Sequence, residues 1–407
     1  MLSSLNNYLV PILYKLSLNL YRNYYLPIRI RQIRNKQTIK VAFVVSELSK
    51  WKSETLFIKM QESERFDPFI FIVPYTHNDN SGLTILTKYL QKQNYPYHLF
   101  DNKQRFSDVV RPDILFYQEP YKDYIHSIYR YNSNLLSLFC YVAYGYHWMD
   151  ADWNINRPFK NFCWHIYYEN QLAMKNVPDL MTNKGVNCIV TGLPMTEHFI
   201  KPLSVYNDPW KIQNHPKIRI IWAPHYTIKQ NSRFHYSTFL SYCDFMLEIA
   251  AKYMDKVQIA FKPHPLLLTK LYQLWGKEKT DGYYKKWEEG DNTQLVLGEY
   301  VSLFMTSNAM IHDCGTFTIE YHYTHNPVLY LLNGSDHYKD LNEFGKLAFD
   351  LHYKGESKED IELFINNVID GIDPMKEARQ NFYNDFLLPP SGNSASTNII
   401  NAILGKS

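Results

Sequence analysis

Short runs of consecutive apolar residues, each closed off by polar ones, recur along the chain and alternate with stretches whose apolar residues fall three or four apart. The first pattern is that of strands buried on both faces, the second that of helices covered on one side. Lys40 to Ser46 (KVAFVVS) is the first such strand, Trp51 to Gln61 has helical spacing, and Phe66 to Pro74 is a second strand. A helix from Leu83 to Gln93 leads to Tyr97 to Phe100. Strands follow at Pro112 to Gln118 and at Leu135 to Tyr144, the latter ending in Gly145-Tyr146-His147. His165 to Lys175 reads as a strand running into a helix, and Val186 to Thr191 runs into Gly192-Leu193-Pro194. Strands alternating with helices predict a parallel, doubly wound sheet.

The pattern breaks at Lys201 to Lys217, where Pro202, Pro209 and Pro216 sit among mixed polar residues, and this reads as a linker. A second α/β series follows: strand Ile218 to Trp222 (IRIIW), helix Phe239 to Tyr253, and strand Val257 to Phe261 (VQIAF) ending at Lys262-Pro263-His264-Pro265. Glu299 to Leu332 then predicts a strand carrying Met310 and Ile311, a turn His312-Asp313-Cys314-Gly315, a helix from Thr316 to His325, and a strand from Val328. Asp360 to Asp370 and Pro374 to Tyr383 read as closing helices. The expectation is two doubly wound Rossmann-type α/β domains facing a cleft, the first over 39–200 and the second over 218–407, joined by 201–217 and preceded by a basic amphipathic segment over 1–38.

Composition changes this picture little. Hydrophobic content of 45% with 20% charged residues is globular, 407 residues suit two domains, and a net charge of +3 is too small to imply a nucleic-acid partner. The five cysteines, Cys140, Cys163, Cys188, Cys243 and Cys314, have neither close pairing nor zinc-ligand spacing and read as reduced cytosolic thiols. The segment Met1 to Lys40 is unusual: Lys15, Arg22, Arg29, Arg31, Arg34, Lys36 and Lys40 lie among leucines and tyrosines with no acidic residue. That composition suits a helix, bracketed by Pro11 and Pro27, lying on an anionic membrane surface. A transit peptide or a helix packed on the chain's own surface shares it.

Three polar clusters follow strands of the second series: Pro224-His225-Tyr226, Lys262-Pro263-His264-Pro265 and His312-Asp313. Parallel strands end on one edge, so the clusters are expected to converge in a crevice there. Gly315 permits close backbone approach, and Thr316 is placed to cap a helix, so the Gly315 to Phe317 amides with Glu320 behind them form a candidate anion site. Metal binding by His225, His264, His312 and Asp313 is the competing reading, although their spacing matches no zinc pattern. No P-loop, G-x-G-x-x-G or G-x-S-x-G occurs.

Over Ile218 to Leu332 the chain resembles the CDP-glycerol glycerophosphotransferase family of teichoic-acid and capsule polymerases. The resemblance rests on WAPH (Trp222 to His225), FKPHP (Phe261 to Pro265) and LFMTSNAMIHDCGTFTIEY (Leu303 to Tyr321), the last similar to the family's Ser-Asp-x-x-x-x-Asp-x-x-Ser pattern. It implies a GT-B-like fold with an acceptor-side domain over 39–200 and a nucleotide-diphosphate (CDP) binding domain over 218–407, His264 as the active-site histidine of the His-Pro motif, and Asp313 and Thr316 on the nucleotide diphosphate. It also implies transfer of glycerol phosphate from CDP-glycerol, with release of CMP, to a polysaccharide or lipid-linked acceptor at the inner face of the cell membrane. Asn308 stands where the family has Asp, and Tyr144-Gly145-Tyr146 replaces its His-Gly-Thr, with His147 the candidate general base and Asp150 behind it. Lys262, His264 and His312 would steady the phosphates. A GT-B glycosyltransferase using a nucleotide sugar, and a non-catalytic membrane-associated scaffold, are the alternative functions.

Overall fold

The computed structural model describes residues 2–76, 81–121, 123–150, 152–229, 235–336 and 338–406. The apolar runs of the first series become β1 (Ile39–Val45), β2 (Phe66–Ile72), β3 (Tyr97–Leu99), β4 (Ile114–Tyr117), β5 (Leu138–Val142), β6 (His165–Tyr168) and β7 (Cys188–Val190). All pair in parallel, in the order β3-β2-β1-β4-β5-β6-β7. Five consecutive buried residues in each of β1, β2 and β5 show why they read as unbroken runs: helices cover both faces. Order reverses between β1 and β4, which makes the crevice beyond their carboxyl ends the expected binding place.

The second series forms β8 (Ile218–Ala223), β9 (Val257–Phe261), β10 (Thr293–Leu295), β11 (Ala309–His312), β12 (Val328–Leu331) and β13 (Tyr353–Gly355), again all parallel. Their order, β10-β9-β8-β11-β12-β13, reverses between β8 and β11. Trp222, Phe239, Phe261 and Trp287 stack at the centre of one covered face. Helices Pro265–Trp275 and Lys277–Glu289, absent from the sequence reading, help to close it through Leu267, Leu271, Tyr283 and Trp287.

By compactness the chain divides into Met1–Glu197 with Leu388–Ser407, and His198–Leu387. The reading of 218–407 as one domain is corrected at its end, because helix Ala395–Leu404 places Ile399, Ala402 and Ile403 in the core of the first unit. An amphipathic helix carries no mark of which core it covers. The expected linker 201–217 lies inside the second unit as a strap on its sheet: Gln258 Nε2 donates to Lys211 O at 2.9 Å and Trp210 Nε1 to Thr306 Oγ1 at 3.1 Å.

The basic segment forms helix Leu2–Leu20, a π-helical turn Tyr21–Tyr25 and helix Leu26–Arg34. Pro11 lies inside the first helix and Pro27 in the first turn of the second, so the two prolines do not bracket one helix. Leu18, Tyr21, Leu26 and Ile33 are buried, the last three in the core of the first unit. Among the described residues no helix is long and apolar enough to cross a membrane.

Candidate functional site

At the switch point of the second sheet, β8 and β11 end side by side, His312 in register with Ala223. The next residue of β11, Asp313, is fully buried and its carboxylate faces the loop that follows β8. It accepts the His225 amide at 2.5 Å, and from Thr238 both the amide at 2.5 Å and the hydroxyl at 2.8 Å. Burial nonetheless raises its pKa to about 6, against those hydrogen bonds. Asp313 is thus spent on clamping the excursion from His225 to Thr238 at both ends, and what it presents to the crevice is His225.

His264 arrives from β9. Its amide donates to Pro224 O at 3.0 Å, and its ring lies 5.0 Å from that of His225 and 4.4 Å from that of Tyr226. It caps helix Pro265–Trp275, its Nδ1 accepting the Leu266 amide at 3.1 Å, while Pro265 occupies the first turn, where the missing N–H costs nothing. A neutral ring whose Nδ1 accepts carries its proton on Nε2. The same holds for His225, whose Nδ1 meets Thr227 Oγ1 at 2.8 Å and the Thr227 amide at 3.4 Å, the hydroxyl oxygen itself accepting from Tyr236 N. Two Nε2–H donors therefore sit together at this edge.

Lys262, between β9 and His264, is 5% exposed and makes no ion pair among the described residues; its Nζ lies 5.8 Å from the centre of the Tyr300 ring. Burial lowers its pKa. Tyr300 in turn hydrogen-bonds the buried Glu320 side chain, so Glu320 faces Tyr300. Cys314 is buried with its Sγ 3.1 Å from Ala223 O, and burial pushes its thiol far above the reactive range.

The stretch after Asp313 departs from expectation. The helix is one turn, Phe317–Glu320, followed by the 3-10 turn Tyr321–Thr324 and His325 at φ 62°, and the exposed Thr316 is helical in φ and ψ with no side-chain cap. The Gly315, Thr316 and Phe317 amides precede the first hydrogen bond of that turn, Thr318 N to Gly315 O at 3.1 Å. Phe317 packs on Tyr300 and Phe304. So short a helix adds little dipole, and Thr316 offers an exposed hydroxyl rather than a cap.

His312 does not join the crevice. It is fully buried against Tyr330 and His352, with rings 5.1 and 5.2 Å away, and burial lowers its pKa to about 3. His352 lies 4.8 Å from His322, and both rings donate to Ala348 O at 2.9 Å. The reason is strand alternation: Ala309 and Ile311 face the Trp222 core, so His312 points to the other side. Asn308, the departure from the family pattern, lies at the opposite end of β11, where its Oδ1 accepts the Arg219 amide at 2.8 Å. Of the four residues in the metal reading, His225 and His264 lie together with Asp313 bonded to the His225 amide, whereas His312 faces the other side of the sheet.

In the first unit, His147 follows β5 and Glu169 follows β6. The buried Glu169 carboxylate accepts the His147 amide at 2.5 Å through Oε1 and meets its Nδ1 at 2.9 Å through Oε2, while the ring packs 4.3 Å from Tyr168. Asp150 is exposed, three residues on from His147. Beyond β1 and β4, Lys50 Nζ lies 3.6 Å from Glu119 Oε1 and 3.7 Å from the Tyr144 ring centre, and Tyr75 donates to Glu119 Oε2. Glu169, Glu119 and Lys50 escaped the sequence reading. Glu169 and Glu119 carry the signal that marked His225, a polar residue within two positions of the end of an apolar strand.

No protein-family model matches the sequence, and comparison with curated proteins finds no match. Solved structures do match. UDP-GlcNAc 2-epimerase from Neisseria meningitidis bound to UDP-GlcNAc has 14% identity and a TM-score of 0.55 over 91% of this chain and 100% of that one. The 2-epimerase-like protein from Listeria monocytogenes has 15% identity and a TM-score of 0.54, over 91% and 97%. The wall teichoic acid polymerase TagF has 12% identity and a TM-score of 0.55, over 94% and 92%. At such identities the likeness is one of fold, and two parallel-sheet Rossmann-like units of seven and six strands give this chain the GT-B-like fold of those proteins.

Proposed function

We propose that the protein is a transferase whose second unit binds a nucleoside diphosphate donor. It moves a polyol phosphate, glycerol phosphate from CDP-glycerol, to a hydroxyl of a surface polysaccharide or its lipid-linked precursor at the inner face of the cell membrane. The observation that carries this reading is Lys262: a buried ammonium without an ion-pair partner among the described residues, in the cluster that holds His225 and His264. Such a charge is costly unless an anion joins it, and a diphosphate would supply one. The likeness to TagF and to epimerase structures holding UDP or UDP-GlcNAc supports a nucleotide-activated donor.

In the proposed reaction the acceptor oxygen attacks the distal phosphorus, the bond from that phosphorus to the oxygen bridging to CMP breaks, and CMP leaves. His147 takes the hydroxyl proton, held for that task by Glu169. Lys262 and the Nε2–H groups of His225 and His264 offset charge on the phosphate oxygens, with the Gly315 to Phe317 amides and Thr316 as further donors. Asp313 positions His225.

Calorimetric titration with CDP, UDP and GDP, with a parallel assay of CMP release from CDP-glycerol, tests this. Selective CDP binding lost in a Lys262→Met, His264→Ala variant is the expected result. Selectivity for UDP would favour the glycosyltransferase reading, which the UDP-bound structural neighbours also support. Binding of none would leave the scaffold reading.

A further inference from the structure

The first two helices carry apolar residues on two faces, and only one of them is used. Leu18 and Tyr21 turn inward, Tyr21 lying 5.1 Å from Phe162. Val10, Leu13, Leu16, Leu20, Tyr24 and Ile28 fall three or four apart on another side and are 56% to 66% exposed. The row crosses the π-turn unbroken, because the wider turn keeps Tyr24 and Ile28 in line with Leu20. Three residues beyond Ile28 comes Arg31, also exposed.

Arg31 borders a groove of about 560 Å³ lined in addition by Arg22 and Arg34 over the apolar Leu26 and Ile30. Arg22 is fixed by the carbonyls of Asn161 and Cys163, at 3.2 Å each, and Arg34 by those of Ile403 and Ala402, at 2.8 and 3.1 Å. Backbone carbonyls orient a guanidinium without neutralising it. No carboxylate forms an ion pair with any of the three among the described residues, and the sequence has no acidic residue before Glu47. Guanidinium groups match phosphate oxygens in geometry as well as in charge.

We propose that this face is a monotopic membrane site: the Val10 to Ile28 row enters the acyl boundary of an anionic bilayer, and the Arg22–Arg31–Arg34 groove takes a lipid headgroup phosphate. The proposal gives a structural basis to the membrane-surface part of the reading above and is independent of the donor. An apolar row of two helices, too short and polar to span, flanked by cationic charge, is what interfacial binding requires. Because the same helices bury Leu18, Tyr21, Leu26 and Ile33, deleting them would damage the first unit, so point variants are the proper test.

The full chain is floated with vesicles of phosphatidylcholine alone and of phosphatidylcholine with phosphatidylglycerol. Binding only to the anionic vesicles is expected, reduced at least tenfold by Leu16→Glu with Leu20→Glu, and severalfold by Arg31→Glu, with unchanged circular dichroism and thermal midpoint. Absence of binding to anionic vesicles, or equal binding of the Leu16→Glu, Leu20→Glu variant, overturns the proposal. Two other outcomes also overturn it: a dimer that those two substitutions convert to monomer without change in flotation, which makes the row a self-association face, and complete release by millimolar inorganic phosphate, which makes the groove a free-anion site. Nucleotide titration of the same variants is expected to match the unaltered chain, so failure here leaves the donor reading standing.

Discussion

His147 in the first unit and His264 in the second are both anchored through Nδ1, but by partners of opposite kind. Glu169 can only accept, so the His147 proton sits on Nδ1. The Leu266 amide can only donate, so the His264 proton sits on Nε2. Two imidazoles with the same intrinsic chemistry are thereby held in opposite tautomers. Second-sphere partners, not the histidines themselves, carry the distinction.

Glu169→Gln breaks the comparison most directly. The amide can donate to Nδ1 and reverse the tautomer, so kcat for CMP release is expected to fall by about 10²–10⁴-fold with KM little changed. Imidazole ¹⁵N spectra should show the His147 proton moving from Nδ1 to Nε2, a signature that purely structural damage would not produce. Asp313→Ala tests the other member of the pair through its support. Three donors lose their acceptor, and urea unfolding is expected to show a loss of about 3 kcal/mol or more, with the His225 loop released.

Much of this was legible in the chain, for a physical reason. Strands covered on both faces must be apolar throughout, so KVAFVVS, IRIIW and VQIAF announce themselves, and in a parallel sheet the polar residue after each run has to lie at one edge. His225, His264 and Lys262 follow from that rule, and Glu169 after HIYY obeys it equally. What the rule cannot give is the side to which a residue within a strand points. Adjacency to Asp313 suggests the crevice for His312, yet it is the last residue of β11 and inherits the inward direction opposite Ile311. Likewise the family resemblance implies a phosphate contact for Asp313, whereas the Thr238 amide bonded to its carboxylate lies 75 residues away and no local pattern signals it.

The buried histidines sharpen the contrast at lower energy. The pKa values of His312 and His322 are lowered to about 3 by burial, and that of His352 falls well below the usual 6.5. The unfolded chain takes up protons below pH 6.5 that the folded one refuses, so their contribution is complete above that pH and drains away as pH falls toward 3. His312 and His322 each cost about 1.4 kcal/mol per pH unit in that window, and His352 acts in the same direction. Asp313, raised to about 6, works in the opposite sense between pH 6 and its unfolded value. Three imidazoles outweigh one carboxyl, so the urea midpoint is expected to drop between pH 6.5 and 5, and a His352→Phe variant should drop less. The smallest effect is that of Lys262→Met: CDP affinity weaker by about tenfold, as for one charge-assisted contact, with unfolding free energy unchanged or higher because a buried lone charge is gone.

Helix Ala395–Leu404 has a consequence for how the molecule comes into being. Ile399 and Ile403 complete a core begun by Ile39, and the whole of His198–Leu387 is synthesised in between. On the ribosome the second unit, a single uninterrupted stretch, can close while the first still lacks a wall and exposes apolar surface to solvent. The part made first is finished last, so aggregation during synthesis should depend on how quickly those last few turns reach the waiting sheet.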